Sequence, residues 1–413
     1  MSFPLIRSAL LAVALLPCLA SAAATLTLEA ALQLAVQRSE AARASRAGIL
    51  GATESARAAG QLPDPTLRVG IDNLPVTGPD RFSTTREPMT MKRVGISQEW
   101  LSTDKRNARQ AAADATVERE TVQARAAIAD IRLQTTLAYV DAFYAAESSK
   151  LATAMEHHAR EEFEAARARL AAAAVGSQEV LALGVARGTA EDESSDALQQ
   201  QDAARLALQR WVGVMPDALA PLAEVPVPGE DAYVAGHPTV AALQRDLEVA
   251  KRAAAVAASN RSPNWTWEVG YGQRTGYADL VTFGVSIPIP VALDARQDRD
   301  TAARLALADK AEADLAEATR VAATQYQTLQ SDARRLRERI ERYRASVLAT
   351  AAQRSSAAMA AYRSNQATLA TLFESRHAEV EAQRKLLALQ RDLARTLAQL
   401  AFRPIAFADE VAP

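Results

Sequence analysis

The sequence predicts a mainly α-helical fold with a small β part, built from a unit that occurs twice. Three observations predict it. The first is a repeated order of elements: a helix, two short strands around a loop, a very long Ala-rich helix, a tight turn and a returning helix. It runs once from about Thr27 to Gly213 and again from about Pro238 to Phe402. The second is two long stretches without Pro or Gly, Asp104 to Leu170 and Asp294 to Tyr362. At about 1.5 Å per residue each is a rod of roughly 100 Å. The third is composition: aromatic residues are only 5% of the chain. That supplies few large side chains for a compact core, whereas Ala-rich helices pack at short distance in an elongated shape.

Residues 1–24 read as a secretory signal peptide. Arg7 gives a positive n-region, Ser8 to Leu19 is apolar, and Ala20, Ser21, Ala22, Ala23 and Ala24 offer a small-residue cleavage site. The apolar stretch is too short to span a bilayer. Cys18 is the single cysteine, and Pro17 stands where lipidation wants a small residue, so simple cleavage is expected. The mature chain then lacks disulfides in an oxidising compartment, and its stability must come from packing and assembly. Lys plus Arg total 47 against 49 Asp plus Glu, a net charge of −2; this argues against a nucleic-acid partner.

The first repeat is assigned to residues 25–213. Thr27 is an N-cap with Glu29 in the first turn, and the helix is expected to continue to Gln61. Leu62-Pro63-Asp64-Pro65 ends it. In Thr66–Asp72, Leu67, Val69 and Ile71 alternate with Arg68 and Gly70, the period of a strand. A loop rich in Pro, Gly, Ser and Thr follows. The second strand, Thr90 to Trp100, sets Val94, Ile96 and Trp100 against Arg93, Gly95 and Ser97. The long helix then runs from about Asp104 to Leu170, and its returning partner from Ser177 to Gly213. Residues 214–237 form a Pro-rich linker, with Pro216, Pro221, Pro226 and Pro228, expected to cross the outside of a tube.

The second repeat is assigned to residues 238–403, and 404–413 to a C-terminal tail. Its strands alternate more cleanly: Trp265, Trp267, Val269 and Tyr271, then Val281, Phe283, Val285 and Ile287. The returning helix carries Leu386, Leu389, Leu393, Leu397 and Leu400 at coiled-coil spacing. In the first repeat the helix before the strands and the returning helix, laid end to end, match the long helix beside them; the second repeat does so less fully, because its first helix, Pro238 to Asn260, is shorter. Each repeat is therefore one continuous and one spliced rod.

The strands approach the length of a membrane-spanning strand, roughly 9–11 residues. Their apolar/small-polar alternation is that of an outer-membrane barrel, with Trp100, Trp265, Trp267 and Tyr271 as a candidate aromatic girdle. A half-buried sheet in a soluble domain has the same period. The signal peptide, the repeat and the rod length favour the barrel. Four strands cannot close one, and lipid forbids an open edge, so several chains must share it. Geometry alone permits two, three or four.

The chain resembles the outer-membrane efflux protein family, the TolC-like proteins. The resemblance rests on Leu26-Thr27-Leu28-Glu29-Ala30-Ala31-Leu32, on the duplicated order of elements, and on the turns. Tyr362-Arg363-Ser364-Asn365 followed by Thr368-Leu369-Ala370-Thr371-Leu372-Phe373-Glu374 is similar to the family's turn and following helix; Leu170-Ala171-Ala172-Ala173 with Gln178-Glu179-Val180-Leu181 is the weaker copy. Pro63-Asp64-Pro65 and Asp72-Asn73-Leu74-Pro75 are most similar to the heavy-metal branch. The resemblance implies a homotrimer with a twelve-stranded barrel in outer-membrane lipid, four strands from each chain, above a periplasmic helical tunnel. It implies a periplasmic adaptor docked near the turns at Ala173, Gly176, Tyr362 and Asn365, and an inner-membrane pump of the resistance–nodulation–division (RND) type. The expected function is a passive exit duct for an efflux system, heavy-metal cations being the expected cargo. The alternatives are a drug or protein-secretion duct of the same family, or a periplasmic coiled-coil scaffold that never enters the membrane.

The family's turn glycine is replaced by Ala173 and Asn365. Asn accepts the left-handed conformation; Ala does not readily, so Gly176 is expected to take that role after a small shift. Glu179, Thr371 and Glu374 occupy the positions of the family's constricting aspartates. Converging carboxylates tune cation passage, although glutamate near a helix N-terminus is favoured in any case. His237 precedes Pro238 in a capping context, and His377 shares a helix face with Glu374. His157 and His158 are adjacent on a helix and cannot share one metal. Met89 and Met91 read as packing residues. No cofactor site, metal centre or nucleophile–base set stands out, and no enzymatic activity is expected.

Overall fold

A computed structural model describes residues 25–223 and 225–405. The signal-peptide reading and most of the expected tail lie outside the described residues. The first repeat comprises α1 (Leu28–Arg38), α2 (Glu40–Ala59), β1 (Thr66–Asp72), β2 (Met91–Trp100), α3 (Thr103–Ala171) and α4 (Ser177–Val212). A short α5 (Glu230–Gly236) follows. The second repeat comprises α6 (Pro238–Ser259), β3 (Trp265–Arg274), β4 (Leu280–Ser286), α7 (Gln297–Arg342), a π-helical segment (Tyr343–Leu348), α8 (Ala349–Arg363) and α9 (Leu369–Phe402).

Four details correct the sequence reading. The first helix is not continuous: Ser39 adopts φ −70, ψ 117 and its hydroxyl accepts from the Ala42 amide, ending α1 and capping α2. A Ser-Glu pair inside a helical pattern is the signal for this. The second long helix starts at Gln297 rather than Asp294 and is interrupted by the π segment. The Pro-rich linker holds a helical turn, α5. Finally, His237 stands at the N-cap position of α6 without capping it; its Nε2 meets Gln325 Oε1 at 3.2 Å instead.

The rods lie in the order α2/α4, α3, α6/α9, α7/α8. The continuous rod α3 packs against α2 and α4 on one side and α6 and α9 on the other, and α7 packs against α6 and α9. The sheet follows the same order, β1-β2-β3-β4, all antiparallel. The core between rods is thin and Ala-rich: Ala31, Ala142, Ala166 and Ala322 are fully buried. Small side chains let the helix axes approach closely.

Two polar clusters fix the long elements. At the sheet–helix junction, buried Lys105 donates to Ser262 O at 2.8 Å and Asn264 Oδ1 at 2.6 Å, and Asn264 Nδ2 donates to Glu99 Oε1 at 2.7 Å. Burial pushes the Lys105 ammonium below the usual lysine range. This ties the start of α3 to the chain entering β3. Midway along the rods, Leu26 bridges to Leu219 of the linker as a short parallel pair. The buried Tyr139 hydroxyl lies 2.7 Å from both the Leu26 and Ala220 carbonyl oxygens. Desolvation raises its phenol to about 12. Tyr139 is therefore a neutral donor that holds the linker against α3.

Lys105→Met removes the buried donor that two acceptors share. It is expected to lower stability by about 1–2 kcal/mol, read as a fall in the thermal unfolding midpoint. Tyr139→Phe should cost about 1–2 kcal/mol at neutral pH. The wild-type chain should also lose stability as pH rises from 10 toward 12, because the phenol ionises more easily unfolded than folded. Tyr139→Phe removes that alkaline component from a denaturant titration series.

Candidate functional site

The sheet presents one continuous apolar face. The register places Leu67 opposite Ile96, Val69 opposite Val94, Ile96 opposite Val269, and Val269 opposite Phe283. These side chains are exposed, Val69 at 74% and Phe283 at 77%. The other face holds Gly95, Gly270, Thr282 and Gly284, crossed by Arg93–Asp72 at 3.4 Å and Arg68–Glu268 at 3.9 Å. Gly95 suits the close approach of the strands there: a Cβ would lie 3.1 Å from Val269 O, a tight contact with backbone. Met91 rests against Gly272, where a Cβ would stand 2.2 Å from its Sδ, so its thioether packs across the sheet.

Trp100 and Trp265 are register partners at the helix-side end, with ring centroids 5.9 Å apart. Trp267 is one step along the same face. Tyr271 lies about 20 Å beyond Trp265 at 3.3 Å per residue, so the aromatic set brackets the apolar band rather than forming one ring. Strands β1 and β4 pair on one side only, which leaves two free sheet edges.

At the opposite end of the rods the two turns adopt the same geometry. Ala173 N donates to Leu170 O at 2.9 Å and Ala174 N to Arg169 O at 2.8 Å; Asn365 N donates to Tyr362 O at 3.0 Å and Gln366 N to Ala361 O at 2.8 Å. This is the Schellman pattern, which requires a left-handed residue. Ala173 (φ 56) and Asn365 (φ 58) occupy that position. The expected shift to Gly176 does not occur; Gly176 is the extended N-cap of α4, at φ −82. The hydrogen bonds on both sides of the turn hold Ala173 in a conformation that disfavours its Cβ.

The expected constriction residues separate here. Glu179 Oε1 accepts from the Leu369 amide at 3.0 Å, so the first repeat caps the returning helix of the second. The Thr371 amide donates to Thr368 Oγ1 at 3.2 Å within that cap. Glu374 is exposed. His377 does not pair with it: its ring stacks on Phe373 at 5.8 Å, and its Nε2 faces Glu193 at 4.0 Å. Tyr362 accepts from Arg169 Nη1 at 3.3 Å, which joins the two tips.

Sequence reasoning missed the strongest contact near the tips, Glu162–Arg376 at 2.6 Å. The Glu162 side chain is only 6% exposed and its Oε2 has no partner. Burial raises its carboxyl above the usual range against the pull of Arg376. Nothing in the local pattern signals a pairing between residues so far apart in the chain. Among the described residues no cluster of three or more His, Cys, Asp or Glu is placed to hold a metal ion, and no helix is long and apolar enough to cross a membrane.

Long rods, an exposed apolar four-stranded sheet with two free edges at one end and paired tips at the other define the architecture. No family model matches the chain, and no curated protein matches it in sequence. Solved structures do match. A membrane protein from Pseudomonas aeruginosa aligns at TM-score 0.77 and 15% identity, over 91% of this chain and 89% of that one. CusC, described for its folding and transmembrane channel formation, aligns at TM-score 0.76 and 13% identity, over 91% of each chain. The Campylobacter jejuni CmeC outer membrane channel aligns at TM-score 0.76 and 12% identity, over 91% and 85%. The fold of this chain is that of TolC-like channels, as the resemblance implied.

Ala173→Gly should raise stability by about 1 kcal/mol by removing the left-handed penalty; Asn365→Gly should change it by only a few tenths. Paired denaturant midpoints check this. Arg376→Leu leaves Glu162 buried without its counter-charge and should cost about 3 kcal/mol at about pH 8. The loss should shrink at about pH 5, because protonation of a carboxyl whose folded pKa is raised favours the folded state.

Proposed function

We propose that this chain is the outer-membrane exit duct of a tripartite efflux system, acting as a homotrimer. A single observation carries the reading: a sheet with an exposed apolar face and unpaired edges crowns rods roughly 100 Å long. Water does not favour such a face, and lipid does not tolerate such edges unless neighbouring chains pair them. The fold shared with outer-membrane channels supports the same assignment. The barrel anchors the chain in the outer membrane, and the rods extend into the periplasm. The tips at Ala173 and Asn365 receive a periplasmic adaptor, and an RND-type inner-membrane pump supplies the energy. The chain itself performs no chemistry.

Heavy-metal cations are the proposed cargo, on the resemblance of Pro63-Asp64-Pro65 and Asp72-Asn73-Leu74-Pro75 to the heavy-metal branch. Glu374 contributes the free carboxylate at the tip, and Glu179 contributes through the cap that holds α9 in place. Both act on passage rather than on binding.

Membrane fractionation and planar-bilayer conductance test the duct. A trimer in the outer-membrane fraction with unitary conductance is expected; a soluble periplasmic monomer overturns it. Glu374→Gln should reduce cation over anion permeability, read as a shift in reversal potential under a salt gradient. Glu179→Gln should instead raise open probability, because it loosens the cap at Leu369. A deletion strain should become sensitive to divalent or monovalent soft metals; sensitivity to lipophilic drugs alone rejects the cargo assignment.

A further inference from the structure

The apolar face of the sheet ends in a charge. Along β2, Trp100, Ile96 and Val94 lie on that face, and the next position of the same parity is Lys92. Its register partners are Ile71 on β1 and Gln273 on β3, both exposed. Among the described residues Lys92 is the one charged side chain on this face of the four strands. From Trp100 to Lys92 the strand runs roughly 26 Å. Tilted by about 40°, that is about 20 Å of height, and the lysine stem carries its ammonium further out. An outer-membrane apolar band is about 25 Å tall. The tryptophan pair therefore marks one boundary of the band, and Lys92 marks the other, at the loop end.

The loop between β1 and β2 continues the pattern. Its base is closed by Thr90, whose hydroxyl donates to Asn73 O at 3.0 Å, and by Asn73, whose Nδ2 donates to Met89 O at 3.3 Å. Inside it, the Phe82 amide donates to Pro75 O at 2.7 Å, and the Ser83 hydroxyl accepts from the Arg86 amide at 3.0 Å. These bonds hold Phe82 in the left-handed region, at φ 58, with its side chain 59% exposed. A phenylalanine favours neither that backbone nor that contact with water. The Arg81 guanidinium lies 4.9 Å from the ring centroid. A turn closed by Thr90 N and Glu87 O at 3.1 Å shortens the path between Arg86 and Lys92. Charge divides by face. On the opposite face of the sheet, Arg93 and Arg68 meet Asp72 and Glu268. Exposed Arg86 and Lys92 form no ion pair among the described residues. Nearby acids are engaged: Glu87 Oε1 accepts from the Met89 amide at 3.3 Å, and Asp279 accepts from the Tyr271 hydroxyl. Asp80 offsets only one of the cations Arg81, Arg86 and Lys92.

We infer that this rim is a binding surface for lipid headgroups whose phosphate carries uncompensated negative charge, with Lys92 and Arg86 receiving the phosphate and Phe82 and Arg81 entering the headgroup layer beside it. The inference rests on the duct reading, which sets the loop end in the outer leaflet. It adds the chemical class of the lipid. Cations at a membrane surface attract anionic headgroups, and their N–H groups donate strong, charge-assisted hydrogen bonds to phosphate oxygens. The lipid tails extend along the apolar face that begins at Ile71 and Val94, so headgroup and tail meet one continuous surface. The strained, exposed Phe82 gains an apolar destination there. A soluble phosphate offers the same anion without tails and leaves that part of the surface unused.

The test uses the full chain in a nonionic detergent, titrated with lipid A, with its dephosphorylated form and with sodium phosphate. Native mass spectrometry identifies bound lipid, and thermophoresis reads affinity. The wild-type chain should bind the phosphorylated lipid about tenfold or more tightly than the dephosphorylated form. Arg86→Gln with Lys92→Gln should weaken that binding about tenfold or more, whereas Arg68→Gln, on the opposite face, should stay within about twofold. Phe82→Gly relieves the left-handed backbone and deletes the ring. It should weaken binding about threefold without lowering the unfolding midpoint. If the double variant fails to fold, Arg81→Gln with Arg86→Gln, both in the loop, replaces it, with an expected loss of about threefold or more. Equal affinity for the two lipid forms, rim variants that bind like wild type, or full displacement by millimolar sodium phosphate, the mark of a free-anion site, overturn the inference. The duct reading survives those results if the wild-type chain conducts in a bilayer of phosphatidylcholine alone. A water-soluble wild-type chain without conductance overturns both.

Discussion

Hydrogen-bond satisfaction at the sheet edges is the constraint on which the rest depends. A hydrocarbon phase supplies no donors or acceptors, so each strand edge must be matched by another strand. The chain pairs β1 through β4 internally and leaves an edge at each end. Everything below the sheet keeps the same lateral order, so the outermost rods stand on the same sides as the edge strands. The open sheet edges and the order of the rods thus express one lateral arrangement carried down the molecule.

The two ends of the rods are held by different physics. At the sheet, a buried ammonium and its acceptors lock α3 to the chain entering β3, a fixed joint of directional bonds. At the tips, one helix of the first repeat caps another of the second through Glu179, and a single buried ion pair, Glu162–Arg376, ties α3 to α9. A buried pair with an unsatisfied oxygen is weak evidence for stability. It is a contact that a small displacement can exchange for water. Rigidity therefore belongs to the joint and adjustability to the tips.

Elements with strong periodicity were readable in the sequence. The strand alternation at Trp265–Tyr271, the first long stretch without Pro or Gly, and the returning helices fall where the pattern puts them. Interruptions that keep helical composition were not. Ser39 breaks α1 from α2 with one residue, and the π segment at Tyr343–Leu348 has no breaker residue at all. At the candidate site the turn positions were readable and their conformations only half so. Asn365 behaves as its side chain suggests, while Ala173 is forced by bonds on both sides. Pairings such as Glu162–Arg376 and Lys105–Asn264 join residues distant in the chain and leave no local trace.

The π segment has a consequence for how the second rod is phased. A π turn accommodates one residue more than the α-helix around it, so side chains below Leu348 are rotated by about 100° relative to an uninterrupted helix. An uninterrupted helix would carry Ala358 on the line of Ile340, about five turns away; with the offset, the face that Ala358 and Tyr362 present to the tip core is aimed in a different direction from the buried face above. The segment acts as a phase-shifter between two independently aimed surfaces. Above it, the rod's azimuth is set by the packing around Tyr326 and Ile340; below it, by the tip core. The two lengths of one helix can thus diverge in sequence without disturbing each other's aim.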